Sequence, residues 1–292
     1  MNTIRDRLEA ILARLDARSD EETVFTRVYL HEARAAADAA DARRREGVSL
    51  GPLDGRIVSI KDLFDVAGET TLAGSVILRD APPAQADAPV VARLRRAGAV
   101  ITGKTNMSEF AFSGIGINPH FGTPGCAADP ARVPGGSSSG AGVSVAEGTS
   151  EISIGTDTGG SVRIPASLNG CVGFKPSTGR VPTDGAYPLS YALDSIGPLA
   201  GNVADCVATD AIMAGEEPRA IEPMPLAGLR IGVPRGRLFT QTEEMVAVAF
   251  EENLARLERA GARIVDINIE DLLGAMGDLM AEAPLVAIEA AA

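Results

Sequence analysis

Cysteine, histidine and lysine are scarce in this chain of 292 residues, which has three cysteines, two histidines and few lysines. Cys126, Cys171 and Cys206 lie far apart, with no CxxC and no paired spacing, so neither a zinc site nor a disulfide framework is expected and a reducing compartment fits best. His31 and His120 show no HxxxH or HExxH spacing and no accompanying carboxylate cluster, which argues against a metal centre. Apolar runs are short. The first 25 residues lack an uninterrupted apolar stretch with a cleavage site, and nowhere is there a run long enough to span a membrane, so the reading is a cytoplasmic protein.

What is present is ordinary for a globular protein: 45% hydrophobic and 23% charged residues, enough for one large α/β domain or two smaller ones. The formal net charge is −12, from 27 basic and 39 acidic residues. A whole-surface grip on nucleic acid or anionic lipid is disfavoured by that balance.

Hydrophobic periodicity supplies the elements. Residues 4–17 place Ile4, Leu8, Ile11, Leu12 and Leu15 on one helical face, and Leu30–Arg45 is a second helix rich in Ala and Arg. RIVSIKD reads as a short buried strand that ends at Lys61. PVVARLRRAG is a helix stopped by Gly98, and AVITG follows as a strand; residues 243–260 and ARIVDINI repeat the helix–strand step. Between these, residues 113–201 are dense in Gly, Ser, Thr and Pro but are interrupted by apolar strands such as EISIG and GCVGF. Loops of that kind usually carry function.

Two motif matches are set aside on context. Gly98 to Thr105 fits GxxxxGK[ST], yet a helix precedes Gly98 and AVIT is extended, so no phosphate cradle forms, and Lys104 is expected on the surface or in a loop. Gly136 to Gly140 fits the GxSxG elbow with Ser138 at its centre, but that elbow needs an acid and then a histidine downstream, and both histidines lie upstream. A serine nucleophile here would need another base. A lysine whose pKa is depressed by burial is the recognised substitute, and Lys61, behind the apolar run IVSI, is placed to be one.

The stretch PGGSSSGAGVSVAEGTSEISIGTDTGGSVRIPAS, residues 134–167, resembles the amidase-signature family at every defined position of its GGSS[GS]G and GTDTGGS[IV]RxP loops. RIVSIKDLF, Gly103 to Ala111, GFKPSTGRVP and ALDSIGPLA extend the resemblance to about residue 200. It implies Lys61 as the catalytic lysine, Ser137 as a bridging serine entered through a cis peptide after Gly135 and Gly136, and Ser161 as the nucleophile. It also makes Thr158, Gly159, Gly160 and Ser161 a run of backbone N–H donors for an oxyanion. Ser138 and Ser139 become loop supports, and Asp157 and Arg163 braces of the turn.

The fold so implied is α/β, a large mixed sheet flanked by helices on both faces, in a single domain over 1–292: N-terminal helices 1–50, signature core 51–210 and a C-terminal part 211–292. The end, DLLGAMGDLMAEAPLVAIEAAA, stops as an apolar helical pattern without a glycine cap, so the chain is expected to be C-terminally incomplete relative to the family. The implied function is an amidase acting on a small-molecule amide through an acyl-serine, without metal or organic cofactor. A second reading is the glutaminase component of a glutamyl-tRNA(Gln) amidotransferase, in which a partner subunit handles the tRNA; a homodimer is the other assembly considered. A third is a nucleotide-binding module at Gly98 to Thr105.

Overall fold

The computed structural model describes residues 3–291 and divides into two compact units, one ending at Ala220 and one beginning at Ile221.

The first unit opens with α1 (Ile4–Asp16), whose N-terminus is closed by reciprocal bonds between Thr3 and Asp6. Its five expected apolar residues, Ile4, Leu8, Ile11, Leu12 and Leu15, are all buried. They pack with Ala33, Ala37 and Ala40 of α2 (Leu30–Arg45) against Ile57, Val100 and Val143. Small alanines on α2 let the two helices approach closely. Each fully buried Leu or Ile contributes about 1.5–3 kcal/mol, so this cluster anchors the N-terminal helices to the sheet.

The sheet has six strands in the order β1-β3-β2-β4-β6-β5. They are β1 (Phe25–Val28), β2 (Ile57–Lys61), β3 (Val100–Thr105), β4 (Ile152–Asp157), β5 (Val172–Gly173) and β6 (Ser195–Ala200). β2 runs parallel to both β3 and β4, while β1, β5 and β6 pair antiparallel, so the sheet is mixed. Helices cover both faces: α1 and α2, joined by α3 (Pro89–Arg96), α4 (Ser139–Glu147), α5 (Arg163–Asn169) and α6 (Val203–Ala214). β2, β3, β4 and β6 are buried along their whole length, which explains their near-continuous apolar or small-residue runs.

Gly98 follows α3 at φ +80, the left-handed conformation that stops a helix. Lys104 departs from expectation: it lies inside β3, only 2% exposed, and not on the surface or in a loop. A strand paired on both sides has spent its amides in the sheet, so residues 98–105 form no phosphate cradle.

The second unit contains β7 (Arg230–Pro234), α7 (Glu244–Arg259), β8 (Arg263–Ile267), α8 (Glu270–Glu282) and α9 (Leu285–Ala290). β7 and β8 pair in parallel, as a strand–helix–strand step requires. No helix among the described residues is long and apolar enough to cross a membrane.

Candidate active site

Because β2 and β4 are adjacent and parallel, their carboxyl ends reach the same edge of the sheet, the edge where open α/β sheets build sites. Lys61 ends β2, and Thr156 and Asp157 end β4. Lys61 is fully buried, with Nζ 2.7 Å from Ser137 Oγ and 2.8 Å from Thr156 Oγ1. Loss of hydration pulls its pKa down to about 7, against the opposing pull of the Asp194 and Asp157 charges. A lysine at that value has its neutral, proton-accepting form populated near pH 7.

Ser137 sits in the loop before α4, after a cis Gly136–Ser137 peptide bond. Its carbonyl accepts the Ser108 N–H at 3.0 Å, and the Gly136 N–H donates to the Gly114 carbonyl at 2.8 Å, so both flanks of the serine are tied to the segment after β3. Below it, buried hydroxyls seat the sheet: Ser150 Oγ donates to Ser59 Oγ, and Ser59 Oγ to Ser153 Oγ, each at 2.8 Å. Gly155 permits the close approach of α4, since a Cβ there would stand 2.6 Å from Ser138 Oγ.

The loop after β4 carries Ser161, nearly buried at 8% exposure, and its carbonyl accepts the Ser138 N–H at 3.2 Å. The two serine-bearing loops are thus bonded to each other. Gly160 precedes Ser161 at φ +134, a conformation that disfavours any side chain. Asp157 organises this turn. Its buried carboxylate accepts the Gly160 N–H at 2.7 Å, the Val162 N–H at 3.2 Å and two bonds from the Arg163 guanidinium, both at 2.9 Å. Burial alone would raise its pKa, but Arg163 and the backbone donors outweigh that and hold it below the usual carboxylate value. The Gly160 N–H, one of the four amides expected to face an oxyanion, is therefore already bonded, whereas Thr158 is fixed through its hydroxyl to Asp194 Oδ1.

Ser138 and Ser139 are buried and turned to the carbonyls of Thr156 and Asn106, at 3.3 Å each, as loop supports. His31 is exposed, and His120 pairs with Glu109 at 2.8 Å. Among the described residues no group of three or more His, Cys, Asp or Glu side chains could hold a metal ion. Thr156 and Asp194 were not singled out from sequence, although both stand inside the quoted motifs. Beside them lies a cavity of about 310 Å³ lined by Thr156, Thr183, Asp184, Tyr187, Tyr191 and Asp194 among others.

With the serine loops and the buried lysine in place, comparison with known proteins is decisive: the family model described as Amidase matches residues 6–291. The chain belongs to the amidase family. This amidase-family chain is 45% identical over 239 residues to the 2-amino-5-chloromuconic acid deaminase of Comamonas testosteroni, covering 80% of this chain and 51% of that protein. It is 42% identical over 275 residues to the A subunit of the glutamyl-tRNA(Gln) amidotransferase of Anaeromyxobacter dehalogenans (strain 2CP-C), covering 90% and 56%. A solved structure described as that of an amidase superposes with a TM-score of 0.81 at 40% identity, over 92% of this chain and 60% of that one. The amidase-family chain spans about half the length of the curated relatives it matches.

Proposed function

We propose that the protein hydrolyses the carbon–nitrogen bond of a small amide through an acyl-Ser161 intermediate. The observation that carries the reading is the 2.7 Å contact between the fully buried Lys61 and Ser137 Oγ, with burial pulling the lysine pKa down to about 7. Neutral Lys61 accepts the Ser137 proton as Ser137 takes the proton of Ser161, and Ser161 Oγ attacks the amide carbon. The oxyanion is met by amides of the loop at Thr158, Gly159 and Ser161. Collapse expels the amine, protonated by the reverse route, and water then releases the acid. No cofactor enters this balance.

A second reading is favoured by the relatives that belong to glutamyl-tRNA(Gln) amidotransferases: glutamine would be the amide, and the ammonia would pass to a partner protein. Release of ammonia from a panel of amides including glutamine separates the two. Turnover of simple amides by the chain alone supports the first reading, turnover of glutamine only in the presence of a partner protein supports the second, and release that persists undiminished in Ser161→Ala overturns both.

A further inference from the structure

Three non-glycine residues among those described hold positive φ, and all three belong to one bonded turn system beside the site: Ala73 at 51°, Phe110 at 50° and Ala111 at 59°. For a side chain as bulky as phenylalanine that region is an outlier, kept only where neighbours over-determine it. Here they do. The Phe110 N–H donates to the Ala73 carbonyl at 2.9 Å, and the Ala73 N–H to the carbonyl of Asp62, the residue after Lys61, at 3.2 Å. The Ala111 N–H donates to the Ser108 carbonyl at 2.9 Å, and the Ser108 N–H is the donor that holds the Ser137 carbonyl. The strained turn is thus bonded to the chain on either side of the Lys61–Ser137 contact.

What the turn presents is an aromatic ring. Phe110 packs on Tyr187 with ring centroids 5.3 Å apart and planes at 40°. The Tyr187 N–H donates to the Leu63 carbonyl at 2.9 Å, so both rings are tied to the stretch that follows β2. Tyr187 keeps 39% of its surface exposed, which a ring serving only the core would not. It lines the cavity of about 310 Å³ that also meets Thr156, the residue bonded to Lys61 Nζ. Two carboxylates, Asp184 and Asp194, share that lining, and among the described residues that line it none is Lys, Arg or His. Asp194 is engaged by the Thr158 hydroxyl and the Leu189 N–H, whereas Asp184 is exposed.

We propose that Tyr187, backed by Phe110, determines the substrate class: the amide carries a planar group that lies on the Tyr187 face, and that group is uncharged or cationic, not a carboxylate. The inference rests on the amidase reading and names the substrate of the same site. A flat conjugated group stacks on a fixed ring at little entropic cost, and a ring held from behind does not swing away. A carboxylate entering the cavity would meet two like charges and no cation in the lining. Phe110 acts through Tyr187 and is a positioning residue.

Binding to the Ser161→Ala protein, measured by ligand-observed NMR at about pH 8.5, above the Lys61 pKa of about 7, separates recognition from turnover. The probes share the carboxamide: benzamide, its saturated counterpart cyclohexanecarboxamide, 4-aminomethylbenzamide and 4-carbamoylbenzoate. Benzamide and its aminomethyl derivative should bind about three- to tenfold more tightly than cyclohexanecarboxamide. The carboxylate probe should bind about tenfold more weakly than benzamide. Adding Tyr187→Leu should abolish the preference for benzamide over cyclohexanecarboxamide, Phe110→Leu should reduce it, and Asp184→Asn should narrow the carboxylate penalty. Equal binding of benzamide and cyclohexanecarboxamide, a planar preference that survives Tyr187→Leu, or a carboxylate probe that binds as well as benzamide overturns the proposal. The comparison of probes in Ser161→Ala alone decides the matter where the added variants do not fold. Failure of the amidase reading would appear separately, as planar-selective binding with no acyl adduct on Ser161 in the wild-type protein.

Discussion

Lys61 and Ser137 come from segments 76 residues apart and meet with Nζ 2.7 Å from Oγ, the lysine carried by a strand end and the serine by the loop that opens α4. If these two and Ser161 form one proton path, removing any one member stops it. Ser161→Ala, Ser137→Ala and Lys61→Ala are each expected to cost on the order of 10⁴-fold or more in kcat, and the double variants scarcely more than the singles. Steady-state rates of the seven combinations check this; strict additivity would mean independent roles.

The pH dependence follows from the lowered Lys61 pKa of about 7. Below it the ammonium forms and cannot accept a proton, so the rate should fall as pH drops through about 7 and stay level just above. A pH–rate profile with no acid limb until unfolding would contradict this.

The same burial has a stability consequence. Between pH 10.5 and about 7 the unfolded chain protonates Lys61 while the folded chain does not, so this residue costs stability as pH falls through that window and no more below it. Lys61→Met should therefore gain on the wild type, by a few kcal/mol at most, from pH 10 down to 7 and level off below. Denaturant midpoints measured across that range test the sign.

Asp157→Ala removes the acceptor of the Gly160 and Val162 amides and frees Arg163. Arg163 is half exposed and returns to water, so the cost is that of unpaired amides, about 1–3 kcal/mol. Thermal or urea unfolding checks it, and Asp157→Asn, which keeps an acceptor, should lose less.

Thr156→Val keeps shape but deletes the hydroxyl at 2.8 Å from Lys61 Nζ. One lost hydrogen bond of about 1–1.5 kcal/mol corresponds to a roughly tenfold drop in kcat with KM little changed. A change confined to KM would place Thr156 in substrate binding.

How much of this was legible in the sequence depended on how each element buries itself. α1 declared its five core residues because a helix with one buried face repeats at helical spacing. β2 and β3 were readable as short apolar runs bounded by turn residues. β1 was not, since four residues at the sheet edge alternate too briefly, and β6 was hidden by Gly197 and Pro198, which read as turn signals although both are buried in a strand. Lys104 was misplaced because a buried lysine needs partners, and Asp62 and Glu69 come from distant segments. The serine loops were legible through resemblance, while the tie from Thr158 to Asp194 depends on a fold that brings β4 and β6 side by side.

Intact-protein mass spectrometry with peptide mapping, after rapid quenching with an amide substrate, reads the covalent step at Ser161 itself. An acyl mass is expected on the peptide containing Ser161, absent in Ser161→Ala and accumulating when deacylation is slow. Turnover with no adduct at Ser161, or an adduct on Ser137 or Ser138 instead, would contradict it.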